Sequence, residues 1–126
     1  MFNTGSLARE FDAVVQHWSP RVIADLNGQS VKVAKIRDEL VWHAHAEEDE
    51  MFLVWKGAVT IRYRDRPDVR LAAGDFHVVP RGVEHNPLAE EECWILLFEP
   101  SETKHTGDTA SDRAKSLADQ RAHLSA

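Results

Sequence analysis

Three histidines and a glutamate constrain this chain more than any other feature. His43 and His45 flank Ala44, an acidic run ending in Glu50 follows, and His85 lies far downstream. In an extended strand the side chains alternate, so His43 and His45 project together while Ala44 faces away. Glu50 comes after a short polar connection and opens an apolar run, so a hairpin there brings it to the same volume. His85 follows the turn Pro80-Arg81-Gly82. Side chains from segments so far apart meet only inside a sandwich or barrel. A small barrel has an interior wide enough for a few side chains or one small ligand.

The rest of the chain supports that architecture. Residues 7–18 place Leu7, Phe11, Val14, Val15 and Trp18 at helical spacing, which predicts a short amphipathic helix ended by Pro20. Asn27-Gly28 then separates two apolar runs, 22–26 and 31–36, a strong hairpin signal because both residues tolerate positive φ. Residues 40–45 read as a strand. Residues 51–55 form an apolar run stopped by Lys56-Gly57, and Val59, Ile61 and Tyr63 alternate with polar residues. Turns are expected at 65–68, at Ala73-Gly74-Asp75 and at 80–82, with strands at 76–79 and 93–98. Many short strands at regular spacing predict an all-β sandwich or barrel. After Pro100 the chain turns polar, and residues 114–124 have helix-forming composition but a thin apolar face. The expected division is an N-terminal helical arm over 1–19, a barrel over 20–100, and a C-terminal loop and weakly helical tail over 101–126.

Composition closes off several functions. A chain of 126 residues suits one domain with one core. Its net charge of −6 gives no basic face for a phosphate backbone, so nucleic acid is not an expected partner. No apolar run approaches the roughly 20 residues that span a bilayer, so no membrane is expected either. The first residues lack the basic-then-apolar order of a signal peptide, and a single cysteine, Cys93, permits no intrachain disulfide. Cytoplasmic residence is the expectation. Cys93 lies in an apolar run and reads as a core residue rather than a nucleophile.

Three neutral imidazoles with one carboxylate suit a divalent transition metal: iron, nickel, manganese, cobalt, copper or zinc. Calcium and magnesium prefer oxygen ligands. Four protein ligands leave two positions of an octahedron open, and open positions are where a substrate or dioxygen binds. Each piece alone is weaker. A lone strand histidine is most often a surface or satisfied core residue, and the acidic run 47–50 reads by itself as a solvated loop. Glu50 is preferred among its four carboxylates because it adjoins the strand.

As they stand, these residues resemble the two motifs of the cupin superfamily. His43-x-His45-x4-Glu50-x6-Gly57 is similar to the first motif from its first histidine onward, and Gly74-x5-Pro80-x-Gly82-x2-His85 to most of the second. Only 16 residues separate the two, as in small single-domain bacterial cupins. The glycine that usually opens the first motif is Arg37 here, and the asparagine that usually closes the second is Ala89. Neither is a ligand in the family pattern. The resemblance implies a double-stranded β-helix, that is, a small jelly-roll (RmlC-like) barrel. It implies metal binding by His43, His45, Glu50 and His85, and a homodimer. Small relatives of this style carry the loose label mannose-6-phosphate-isomerase-like, which names no activity.

Two function classes follow. The first is a metal-dependent enzyme on a small organic molecule, of dioxygenase, isomerase or lyase type, with Glu50 as a ligand that also shuttles a proton. Tyr63, the only tyrosine, is the second catalytic candidate: it is read either as a proton donor inside the barrel or as a core aromatic with its hydroxyl satisfied. The second class is a non-catalytic module that senses or holds a small ligand or metal. Phe52 and Val54 share parity with Glu50 and are expected to line the pocket floor. His77 is read as a surface or edge residue and His105 as solvated. Trp18, Trp42, Trp55 and Trp94 are read either as core or as cover for a dimer interface.

Overall fold

The computed structural model describes residues 3–125, so the first two residues of the N-terminal arm and the last of the tail lie outside it. Helix α1 (Leu7–Asp12) is followed by strands β1 (Arg21–Leu26), β2 (Gln29–Glu39), β3 (Glu50–Lys56), β4 (Ala58–Tyr63), β5 (Val69–Ala72), β6 (Phe76–Val79) and β7 (His85–Pro100). Helix α2 (Leu117–Arg121) and a 3-10 turn (Ala122–Ser125) end the described chain. The result is an all-β jelly-roll barrel with a short helix before it and a small one after it.

Strand β7 organises both sheets. Its C-terminal part pairs antiparallel with β2 and β3, and β1 and β6 extend that sheet at its two ends. Its first residues pair with β4, which carries β5. A register shift between Ile36 and Asp38 on β2 lets one long strand pair bend across both sheets. Asp38 takes φ 65° in that bulge, one residue after Arg37, where the family pattern has its glycine. The Arg37 carbonyl instead accepts the Trp18 indole N–H at 2.8 Å.

Alternation divides the residues between two cores. On β2, Lys32, Ala34 and Ile36 point into the barrel, while Val31 and Val33 point out beneath α1. On β3, Phe52 and Val54 point inward with Glu50. On β7, Cys93, Ile95, Leu97 and Glu99 share the inward parity. The outer core is closed by Phe11, which stacks on Trp94 and Trp55 at 5.2 and 6.3 Å between ring centroids. Cys93 is wholly buried, and burial pushes its thiol up to about 12, as a core role requires.

The turn chemistry behaves as the sequence predicts at Asn27-Gly28. Both take positive φ (52° and 76°), and Leu26 pairs with Gln29 across them. Gly57, with φ 87°, joins β3 to β4 so close to β7 that a Cβ there would sit 2.8 Å from the Glu92 carbonyl oxygen.

Three expectations are corrected. The helix stops at Asp12 rather than continuing to Trp18, because Trp18 is taken by the sheet. Its N–H donates to the Lys35 carbonyl and its φ is 58°, which leaves Val15 exposed. Residues 40–45 do not form a regular strand; His43 alone makes an isolated bridge, with His85. The last strand begins at His85 rather than at residue 93, so the second motif and the final apolar run are one element.

Candidate metal centre

The four residues singled out by spacing converge. One donor atom each from His43, His45, Glu50 and His85 lies within 4.8 Å of the other three, and all four residues are buried. Paired backbone hydrogen bonds between His43 and His85, at 3.0 and 2.9 Å, hold the two motifs side by side. Asp49 reinforces this from outside. Its carboxylate accepts the Arg81 backbone N–H at 2.9 Å and faces the Arg81 guanidinium, so this member of the acidic run clamps the second-motif turn as well as meeting solvent.

Two of the rings are locked in one tautomer. His43 Nδ1 donates to the Val41 carbonyl at 2.8 Å, and His85 Nδ1 donates to the Val83 carbonyl at 3.0 Å. A carbonyl can only accept, so in the neutral ring the proton is on Nδ1 and Nε2 is left with its lone pair. Glu50 Oε1 stands 3.5 Å from His45 Nε2 and 3.4 Å from His85 Nε2, too misaligned for a hydrogen bond. Glu50 Oε1, His85 Nε2 and both His45 nitrogens therefore have no hydrogen-bond partner in the protein. Buried polar atoms left unpaired are costly, and here they face one another. Several lone pairs aimed at one point, with tautomers fixed from behind, are the donor set a divalent transition metal requires.

The charges agree. Burial, then the neighbouring His85, hold the His43 imidazole down to about 4, so it is neutral at pH 7. Burial also opposes charge on His45, but the Glu50 carboxylate outweighs it and raises that imidazole. Burial would raise Glu50 too, yet His45 and His85 hold it well below the usual carboxylate range.

A charged group behind the cluster escaped the sequence reading. The register Met51↔Phe98 and Phe52↔Leu97, continued one step, sets Glu50 opposite Glu99. Glu99 is 3% exposed, and burial followed by the Glu50 charge pushes its carboxyl well above the usual range. Lys32, 1% exposed, lies 3.3 Å from Glu99 Oε1 and donates to Gln120 Oε1 on α2 at 2.6 Å. Parity was the available signal: Lys32 alternates with Ala34 and Ile36, and Glu99 with Ile95 and Leu97.

Tyr63 is brought near but not in. It is a core residue whose hydroxyl meets His77 Nε2 at 2.6 Å, and burial raises its phenol. His77 is thus half-buried on the edge strand β6, not a ligand. His105 is corrected outright: it is not solvated. It helps line the interior cavity with His43, Glu50, Phe52, Trp18 and Leu40, and burial holds its imidazole down to about 4. That cavity is narrow. The volume open to the centre of a water-sized molecule is about 20 Å³, room for one water or two. Phe52 lines it, as its parity predicts, while Val54 packs deeper in the core.

A small β-barrel with an inward His3Glu cluster defines a class, and comparison with known proteins identifies it. The chain belongs to the cupin family: the Cupin_2 family (cupin domain) matches residues 30–99. A cupin-2 domain containing protein from Shewanella frigidimarina superposes with a TM-score of 0.74 at 45% identity, over 77% of this chain and 94% of that one. Hydroquinone 1,2-dioxygenase from Sphingomonas sp. TTNP3 shares the fold at 15% identity and a TM-score of 0.63, over 72% of this chain and 70% of that one. The uncharacterized protein YdbB of Bacillus subtilis is 33% identical over 63 residues, 50% of this chain. The match spans 56% of that relative, little more than half its length.

Proposed function

We propose that this chain is a metal-dependent enzyme acting on a small organic molecule, with one divalent transition metal held by His43, His45, Glu50 and His85. The observation that carries the proposal is the set of buried donor atoms within 4.8 Å of one another, most of them without a protein partner, facing an apolar cavity. When bound, such an ion supplies Lewis acidity, or a redox centre if it is iron, manganese or copper. The chain supplies the rest. The Val41 and Val83 carbonyls hold two rings in place. Trp18, Leu40, Phe52 and Leu97 give that cavity an apolar wall. Glu50 lines that cavity, and His45 and His85 hold its carboxyl well below the usual range, which suits a ligand that stays ionised. The Tyr63 hydroxyl is engaged by His77, which favours its packing role over its catalytic one.

The test loads the protein anaerobically with iron(II) and separately with zinc. Each form is then offered small chelating compounds: aromatic diols, 2-hydroxy acids and 2-oxo acids. Dioxygen uptake that requires iron marks a dioxygenase, and turnover with either metal marks an isomerase or lyase. The tight closure of the cavity favours one alternative, a non-catalytic module that holds a metal or small ligand. Binding with no turnover in any metal form would decide for that module and against the enzyme.

The second copy expected in a homodimer also has a surface to meet. Strand β6 pairs with β3 alone among the described residues, so its other edge is open. Phe76, Val78 and Trp55 are 66%, 46% and 47% exposed on the outer face beside it. We propose that a two-fold copy covers this edge. Sedimentation is expected to give twice the 14.3 kDa chain mass, and Phe76→Glu to give the monomer. A monomeric native protein removes the proposal.

A further inference from the structure

We infer that His105, carried by the C-terminal segment, is part of the site, with its Nε2–H donating to a molecule bound in the open positions of the metal centre. The inference rests on the metal reading above. His105 shares the interior cavity with His43 and Glu50 although it lies outside both motifs. The Lys115 backbone N–H donates to its Nδ1 at 3.2 Å. An imidazole nitrogen that accepts carries no proton, so the neutral ring bears its proton on Nε2. Burial keeps the ring neutral at pH 7. The Arg113 backbone carbonyl lies near the ring and competes for its proton, but no hydrogen bond of sound geometry runs from Nε2 to a protein acceptor among the described residues. A half-buried donor without a partner, beside a cluster of ligands with open positions, is placed to recognise an oxygen or nitrogen acceptor bound there.

The segment holding the ring is built to hold it. Gly107 runs so close to the first motif that a Cβ would collide with the Ala44 carbonyl oxygen, and its φ is 58°. Thr106 Oγ1 donates to the Thr109 carbonyl at 2.7 Å and closes the loop on itself. From inside the barrel, Lys32 Nζ donates to Gln120 Oε1 at 2.6 Å, and Gln120 Nε2 donates to the Lys115 carbonyl at 2.8 Å. Lys115 is the residue whose N–H holds His105. A continuous path of hydrogen bonds and backbone thus runs from a buried lysine to the imidazole, and fixes the ring's position from the core outward.

The experiment uses the full-length protein loaded with copper(II), with azide as the probe. Azide binding is read from the ligand-to-metal charge-transfer band, and copper content is measured in parallel. His105→Leu is expected to keep copper at about one equivalent but weaken azide binding about tenfold, the loss of one hydrogen bond to a charged acceptor. His105→Gln, which retains an N–H, is expected to recover affinity to within about threefold of the native protein. A nitrogen-15 NMR spectrum of the metal-free protein is expected to show the Nε2–H tautomer at His105. Equal azide affinity in all three proteins, a copper-loaded native protein that binds no azide, or an Nδ1–H tautomer would each overturn the inference alone. Loss of copper from both His105 variants would overturn it too, since the ring would then hold the metal or the fold rather than the probe. A native protein that binds no copper would overturn the metal reading, and the inference with it.

Discussion

His85→Ala is expected to lower the bound transition metal from about one equivalent per chain to less than about a tenth, measured by elemental analysis of purified protein. His85 is wholly buried, its Nδ1 is committed to Val83, and its Nε2 has no partner but the shared centre. Its loss removes a donor and also the edge that Phe52 packs against, at 6.5 Å between ring centroids. His77→Ala is the control, since His77 serves Tyr63 and lies outside the cluster. Metal retained by His85→Ala, or none in the native protein, would remove the His3Glu assignment. Circular dichroism of the metal-free forms separates a lost site from a lost fold.

Lys32→Met is expected to cost about 3–5 kcal/mol of unfolding free energy, read from urea denaturation of the metal-free protein. The substitution keeps the apolar stem but strands Glu99 and Gln120 in the interior, where Glu99 already has one oxygen without a partner. An unpaired carboxyl in that environment must either stay charged at high cost or take up a proton. Glu99→Gln added to Lys32→Met is expected to return more than about half of the loss, because neither charge is then left alone. A single-variant cost below about 1 kcal/mol would mean that water reaches the pair and that it does not anchor the tail.

Where the sequence was legible, the reason was local. The side-chain period of an extended chain set His43 and His45 on one side, and Asn27-Gly28 and Gly57 carried their turns in their own backbone preferences. The four donors therefore came out of spacing and turn chemistry, with the family resemblance tying the two halves together. What stayed hidden depends on how remote surfaces meet. Lys32 sits among valines that also become buried, because β2 has the barrel on one face and α1 on the other. With both faces covered, the usual rule of charge outside and valine inside cannot tell which way Lys32 points. Glu99 was masked by the Pro100 that follows it, which marks a strand end where a solvated carboxylate is the ordinary expectation. His105 lies in a polar stretch that looks solvated until Gln120 docks it from the other end of the tail. Trp18 broke the helical pattern because its indole and its backbone were both claimed by β2.

The order in which the parts of this site lie along the chain has a consequence for its assembly. A ribosome delivers His43, His45, Glu50 and His85, and then the whole of β7, before it delivers His105 and Gln120. The barrel and its donor atoms can thus form while the opening is still uncovered. His105, which lines the cavity, follows all four donors along the chain. If the cluster holds an ion, as proposed above, that order gives the ion an interval in which to enter before His105 comes to line the cavity.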